Sequence, residues 1–195
     1  KPNSYEIGAG SKYLAFAGNE GCDGILVGRA RRDGLKVEFD VQRWGSSVGP
    51  AARGLVFSLW DSKGDEVLNF KMKSAPSNQE IRYNVSDYND SFTGTYMNKE
   101  GGGGMATYEV VWYHATLDLQ GAGWTLTLET WADGGNEATT LGSAQTSVLL
   151  PYMTTQAPKD VTRLRLYQPA GSYSFWSNVL VTGELLPDTT VFIIR

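Results

Sequence analysis

Short runs of alternating apolar and polar residues are the feature that most constrains the fold of this 195-residue chain. In Leu35–Gln42, apolar Leu, Val, Phe and Val alternate with Lys, Glu, Asp and Gln. The same period of two recurs in Leu55–Trp60, Leu68–Lys73, His114–Leu119, Trp124–Glu129, Arg163–Tyr167 and Phe175–Thr182. One apolar and one polar face per run is typical of half-buried antiparallel strands.

Turn-forming residues separate these runs. Asp61–Asp65 and Gln120–Gly123 are predicted to close two hairpins, and Asp133–Asn136 to follow a strand that ends at Trp131. No window of about twelve residues carries the apolar stripe of a helix. We therefore predict an all-β fold, a two-sheet antiparallel β-sandwich, with residues 1–195 forming a single domain.

Two stretches fall outside this alternation. Asn84–Gly104 is rich in Asn, Asp, Gly and Tyr, and we predict a long exposed loop there, of the kind that often carries function. Val191–Ile194 is predicted to be a last strand or a stub toward a neighbouring domain.

Composition excludes several classes of function. A single Cys and a single His, Cys22 and His114, exclude an internal disulfide and a multi-His zinc site. The net charge of −4 and the pI near 5.0 argue against nucleic acid as a partner. Because no apolar run reaches about 18 residues, we expect no membrane span.

The order of the runs resembles a laminin-G-like or concanavalin A-like jelly roll. The resemblance rests on Tyr13–Phe16, Leu35–Val41, Gly54–Trp60, Trp112–Leu119, Trp124–Thr130 and Val161–Leu166. Near the end, Gly171–Tyr173 followed by Trp176–Val181 resembles the bend and Asp-Asn-Val-like strand of such modules, with Ser177 in place of Asp. The resemblance implies a secreted domain that recognises or cleaves a polysaccharide or oligosaccharide, tethered to a larger enzyme or surface protein.

Tryptophan is the residue type that most favours carbohydrate binding, because sugar C–H faces stack on indole rings. The alternation places four Trp side chains out of phase with the core, where water contact is unfavourable unless they are covered or used. These are Trp60, Trp112, Trp131 and Trp176, whereas Trp124 is predicted to be structural. If the four lie on opposite outer faces, no single site can use them all.

Four polar side chains on predicted strands complete the predicted ligand-binding set. They are His114, Glu129, Asn69 and Arg165, with Trp44, Tyr88 and Tyr96 as a loop rim. The main hypothesis is a non-catalytic carbohydrate-binding module. A structural or adhesive β-sandwich without a glycan ligand is a further alternative.

Catalysis on the same fold is the alternative from a different class. Glu38-Phe39-Asp40-Val41-Gln42-Arg43 resembles the Glu-x-Asp-x-x-Glu core of laminarinase-like hydrolases, but Arg43 replaces the third acid. A polysaccharide lyase acting on uronate polymers by β-elimination would need a base such as His114 with nearby Arg and Tyr. The signature sequences of the alginate lyases are missing, and charged residues alternating on a solvated strand are the simpler explanation of Glu38 and Asp40.

A structural Ca²⁺ is left open by the sequence. Its candidate ligands are Glu6, Asn19, Glu20, Asp23 and Asn178, since Ca²⁺ prefers carboxylate and carbonyl oxygens. None of these has the spacing of a known calcium loop, and solvated loop residues are the simpler interpretation.

Overall fold

The computed structural model describes twelve stretches of the chain and shows thirteen strands in them. The stretches are residues 3–7, 11–16, 20–44, 55–73, 80–84, 95–96, 112–131, 140–145, 149–154, 156, 158–168 and 173–187. The strands are β1 (Asn3–Ile7), β2 (Ser11–Phe16), β3 (Glu20–Arg31), β4 (Lys36–Trp44), β5 (Leu55–Trp60), β6 (Glu66–Lys73), β7 (Glu80–Tyr83), β8 (Thr95–Tyr96), β9 (Trp112–Gln120), β10 (Gly123–Trp131), β11 (Thr140–Gln145), β12 (Asp160–Gln168) and β13 (Tyr173–Thr182). These stretches contain no helix, and so none that is long and apolar enough to cross a membrane.

The strands form two antiparallel sheets, as the alternation predicts. The seven-stranded sheet has the order β1-β2-β13-β4-β9-β10-β11, and the six-stranded sheet has the order β3-β12-β5-β6-β7-β8. The predicted hairpins are confirmed: Asp61–Asp65 joins β5 to β6, and Gln120–Gly123 joins β9 to β10. The prediction of an all-β, two-sheet sandwich is therefore confirmed.

The core lies between the sheets and is built by the apolar face of each strand. Phe39 of the seven-stranded sheet stacks on Phe57 of the six-stranded sheet, with ring centroids 4.9 Å apart. Phe57 stacks in turn on Phe70 at 5.5 Å. All three rings are fully buried, and each contributes about 1.5–3 kcal/mol through burial. The predicted core residue Trp124 is also fully buried.

Several predictions concern residues outside the described stretches. The tail Val191–Ile194 and the turn Asp133–Asn136 lie outside them, and so does Tyr88. Of the predicted loop Asn84–Gly104, the structure describes Asn84 and the short strand β8. The structure therefore does not test these predictions.

Candidate functional site

The predicted ligand-binding residues divide between the two outer faces of the sandwich and its core. His114 and Glu129 lie opposite each other on β9 and β10, and Trp112 pairs with Trp131 two residues further along. Trp60, Asn69 and Arg165 belong to the six-stranded sheet, and Trp176 lies in the core. No single site can include all eight residues.

The outer face of the seven-stranded sheet carries two neighbouring rows of mostly polar residues. One row runs across five strands through Ser177, Asp40, His114, Glu129 and Ser143. The next row runs through Leu180, Glu38, Thr116, Thr127 and Gln145. With strands about 4.8 Å apart, each row spans roughly 19 Å.

Asp40 is the centre of a hydrogen-bonded cluster, which we call the Asp40 cluster and which comprises Asp40, His114 and Asn178. The Asp40 Oδ1 atom lies 2.7 Å from His114 Nδ1, and Asp40 Oδ2 accepts a hydrogen bond of 2.5 Å from the Asn178 amide. The Asp40 side chain is 7% exposed, whereas His114 is 24% exposed. A buried carboxyl group thus holds two more accessible side chains, from the strands on either side.

Asn178 reaches Asp40 because β13 has a bulge at this point. The pairing of β13 with β4 shifts between Ser177 and Leu180, where the two residues Asn178 and Val179 lie opposite one residue of β4, so that one extra residue is accommodated. Asn178 adopts a left-handed backbone conformation with φ +52°. Asn tolerates that conformation better than most residues, which explains its place in the bulge.

Glu38 extends the cluster along β4. Its Oε1 atom lies 2.9 Å from Lys36 Nζ and 4.0 Å from His114 Nε2. The hydrogen bond to Glu38 raises the pKa of Lys36. A carboxylate accepts hydrogen bonds and does not donate them, so His114 facing Asp40 carries its proton on Nδ1. The ring orientation therefore places Nε2 on the side of Glu38.

The register prediction for Trp176 is wrong. The alternation assigned Trp176 to the outer face together with Asn178 and Thr182, but the indole is fully buried. Its ring lies 5.3 Å from Phe39, and its Nε1–H donates to Ser174 Oγ at 2.9 Å. The bulge is the physical reason, because it changes the phase of β13 between its two halves.

The prediction that Asn69 contacts a ligand is also corrected. Asn69 lies on the outer face of the six-stranded sheet, opposite Ser58, yet both side chains are fully buried. The Asn69 amide donates to Met153 Sδ at 3.3 Å. A side chain enclosed in this way cannot offer its amide to a ligand at the surface.

Trp60 and Arg165 do lie together on that face, and Arg163 joins them. The Arg163 guanidinium carbon sits 4.8 Å from the centroid of the Trp60 ring, and that of Arg165 sits 6.0 Å from it. The Trp60 Nε1–H donates to Ser58 Oγ at 2.9 Å. The half-buried indole is therefore already in contact with cations, which is one way of covering an out-of-phase Trp.

Sequence reasoning missed the cluster although it had noted its members separately. Glu38 and Asp40 share a strand face because they are two residues apart, and Asn178 was considered only as a calcium ligand. Two features of the sequence pointed to the cluster. One was the pair of carboxylates on one strand, Glu38 and Asp40, and the other was the single His of the chain, His114. Alternation within a strand does not predict which residues of two strands lie opposite each other. The contact of Asp40 with His114 could therefore not be predicted from the sequence.

The predicted calcium site is not tested, because Asn19 and the side chains of Glu6 and Glu20 lie outside what the structure describes. Among the described residues, no group of three or more His, Cys, Asp or Glu side chains is arranged to hold a metal ion. Asp23, one of the candidate ligands, is engaged with Arg165 at 3.1 Å and with Arg163 at 3.8 Å. An acidic group held by two arginines is a poor cation ligand.

Comparison with known proteins bears on the fold. No family description matches the sequence, and no curated protein is detectably similar to it. Lectin I-B4 from Griffonia simplicifolia, in its metal-free form, superposes with a TM-score of 0.53 at 12% identity, over 95% of this chain and 92% of the lectin. The exoplasmic/lumenal domain of VIP36 in its Ca²⁺/Man-bound form gives 0.48 at 9% identity, over 100% and 89%.

Alginate lyase from Alteromonas sp. 272 gives a TM-score of 0.41 at 8% identity, over 89% of this chain and 88% of the lyase. At identities this low, only the fold is comparable, and the TM-score above 0.5 belongs to the legume lectin. The chain adopts a concanavalin A-like jelly roll, as its sequence predicts.

Proposed function

We propose that the chain is a non-catalytic carbohydrate-binding module whose binding surface is the outer face of the seven-stranded sheet. The observation that carries the proposal is the Asp40 cluster. A nearly buried carboxyl group fixes the positions of His114 and Asn178 before any ligand arrives. Side chains that are already ordered lose little entropy on binding, which favours affinity.

The chemistry of this face matches that of a saccharide. Sugar hydroxyls both donate and accept hydrogen bonds, and the two rows offer carboxylates at Glu38 and Glu129 beside the imidazole of His114. Leu180 lies next to Glu38 and is 52% exposed, so it provides an apolar contact for a C–H face. The proposal also includes stacking on Trp112 and Trp131, which pair with each other two residues along β9 and β10 from His114 and Glu129.

The fold supports this proposal at a general level. The structure that superposes with a TM-score of 0.53 is a lectin. Fold alone does not decide function, so the argument depends on the site. The proposal also includes an extracellular location, attachment to a larger polysaccharide-active or surface protein, and no nucleic-acid or membrane partner.

Affinity electrophoresis on a panel of neutral and acidic polysaccharides tests the proposal. We expect retardation of the wild-type chain by at least one polymer, and a loss of about tenfold in affinity for His114→Ala, which removes a group worth roughly 1.4 kcal/mol. Asp65→Asn is the control, because Asp65 is an exposed acid in the β5–β6 turn. Absence of retardation by every polymer would refute the proposal.

Polysaccharide lyase activity is a second candidate, favoured by the Asp40–His114 contact. An imidazole can act as the base for proton abstraction when a carboxylate orients it through its other nitrogen. Asp40 is bound to His114 Nδ1, and Nε2 is the nitrogen on the side of Glu38. Such a base would remove the proton from the carbon next to the uronate carboxyl group. The electron pair left behind would form a C=C bond as the bond to the leaving sugar oxygen breaks, and that oxygen would take up a proton from water.

The lyase candidate is tested by the ultraviolet absorbance of the unsaturated product released from uronate polymers. We expect the wild-type signal to be lost in His114→Ala and to be much reduced in Asp40→Asn. An unchanged rate in His114→Ala would exclude the assignment, whereas Asp65→Asn should behave as wild type. The structural Ca²⁺ stays a prediction, tested by the effect of a chelator on the thermal unfolding temperature.

A further inference from the structure

A cavity opens on the six-stranded sheet, where the first residues of β3 pair with the last residues of β12. Its volume is about 250 Å³, and its lining residues are Gly21, Cys22, Asp23, Arg165 and Tyr167. Gly21 faces Tyr167 across the two strands, and a Cβ atom there would collide with the backbone carbonyl oxygen of Leu166. Only glycine fits at this position, and its lack of a side chain leaves the space open.

Arg165 and Asp23 are the charged residues that line the cavity, and Arg163 lies next to them. Arg163 and Arg165 share the single carboxylate of Asp23, with N–O distances of 3.8 and 3.1 Å. Burial and the neighbouring Asp23 raise the pKa of the Cys22 thiol, so this thiol adds no negative charge at neutral pH. The two guanidinium groups outnumber the carboxylate that they share, and the nearby Glu66 is only partly ionised at neutral pH because burial raises its pKa to about 7.

Aromatic rings hold the guanidinium of Arg165 in place. Its central carbon lies 6.0 Å from the ring centroid of Trp60 and 6.0 Å from that of Tyr167. The ion pair with Asp23 uses the Nε–H of Arg165, whereas the two terminal nitrogens can bind a carboxylate or a sulfate end-on with two parallel hydrogen bonds. The side chain is 42% exposed, and so a ligand can reach it from solvent.

We propose that this surface, which we call the Arg165 site, is a second binding site that takes an acidic sugar unit with its carboxylate or sulfate on Arg165. The ring of the sugar would lie against Tyr167, which lines the cavity. A cavity of 250 Å³ lies below the range of about 300–1,000 Å³ for drug-sized ligands, which fits one sugar unit of a longer chain.

The Arg165 site is independent of the Asp40 cluster. Its strands, β3, β12 and β5, belong to the six-stranded sheet, whereas the Asp40 cluster lies on the outer face of the other sheet. The sites therefore make separate predictions. Loss of binding in His114→Ala concerns the Asp40 cluster, and loss of binding in an Arg165 variant concerns the Arg165 site.

Affinity electrophoresis with charged and neutral partner polymers tests the Arg165 site. Two charged polymers serve as probes, and each is compared with its neutral counterpart. Polygalacturonate is compared with its methyl ester, and dextran sulfate is compared with dextran. We expect Arg165→Gln to weaken binding of at least one charged polymer by about tenfold or more, which is the order of one charge-assisted contact. Asp23→Asn should strengthen the same binding, because it removes the carboxylate that competes with the ligand.

The matched control is Arg31→Gln. Arg31 is 48% exposed and pairs with Glu184 at 3.1 Å, so it has similar exposure and a similar partner but lies away from the cavity. Binding to polygalacturonate alone or to dextran sulfate alone identifies the acidic group and supports the proposal. The proposal is overturned if Arg165→Gln binds the charged polymers as wild type does, if Arg31→Gln loses as much, or if Asp23→Asn weakens binding.

Discussion

Replacing Glu66 by Gln tests whether a carboxylate destabilises the outer face of the six-stranded sheet. Glu66 begins β6 and pairs with Trp60. Burial raises the pKa of Glu66 from 4.5 to about 7, although Asn69, Ser58 and Arg165 act to lower it. Its Oε1 atom is buried and has no hydrogen-bond partner in the described part of the chain. A neutral amide should therefore be accommodated at lower cost than a carboxylate.

The direction of the effect follows from the order of the two pKa values. The folded chain holds the Glu66 proton more tightly than the unfolded chain does. The stabilising contribution is therefore fully present below pH 4.5 and is lost as the pH rises to about 7. At about 1.36 kcal/mol per pKa unit the full effect is roughly 3 kcal/mol, and screening at a half-buried group reduces it to about 1–2 kcal/mol.

Urea unfolding followed by Trp fluorescence measures the effect. Relative to wild type, Glu66→Gln should gain about 1–2 kcal/mol in free energy of unfolding between about pH 5 and about pH 8. Glu184→Gln is the control, because Glu184 is an exposed acid in a surface ion pair with Arg31. The reasoning is refuted if the difference between Glu66→Gln and wild type is the same at both pH values, or changes with the opposite sign.

Three further substitutions test the core, the β9–β10 turn and the bulge of β13. Trp176→Ala should lower the free energy of unfolding by about 3–5 kcal/mol in urea, because the buried indole packs on Phe39; a loss below about 1 kcal/mol contradicts this. Tyr152→Phe should cost about 1–3 kcal/mol in thermal unfolding, since its hydroxyl shares its single hydrogen between two carbonyl oxygens of that turn, at 2.5 and 2.8 Å; an unchanged midpoint contradicts this. Asn178→Ala should cost about 1–2 kcal/mol because it loses the bond to Asp40 and keeps a left-handed backbone, and Asn178→Gly should recover part of the loss. Equal losses for Ala and Gly would show that the backbone conformation is not involved.

The alternation of apolar and polar residues predicted the strands that have one solvent-exposed face and one buried face. Leu35–Gln42 and Trp124–Glu129 are examples, since each alternating run lies within or overlaps a strand of the structure. The longest strand, β3 (Glu20–Arg31), was missed. Three glycines interrupt its sequence, and a glycine contributes to neither face of an alternation. The resemblance to a jelly roll compensated for this, because it depended on the order of the other strands.

The candidate site was less predictable than the fold because it depends on contacts between strands. Asp40 and His114 are 74 positions apart, and alternation says which face each occupies but not which residues are opposite. The error at Trp176 has a related cause: a bulge shifts the phase within one strand, and β13 carries no Gly that would mark it. Trp60 was placed on the correct face, but its contact with Arg163 required the pairing of β5 with β12.

The segment that follows β13 has a consequence for solubility. β3 is the edge strand of the six-stranded sheet, and an unpaired edge can template association with another chain. Backbone bonds of 2.7 Å, from Arg31 to Glu184 and from Leu186 to Arg29, lay this segment along that edge, beside Gly28 with its φ of +105°. Because β13 itself belongs to the other sheet, the segment both ties the two sheets together and shields part of a strand edge from edge-to-edge aggregation.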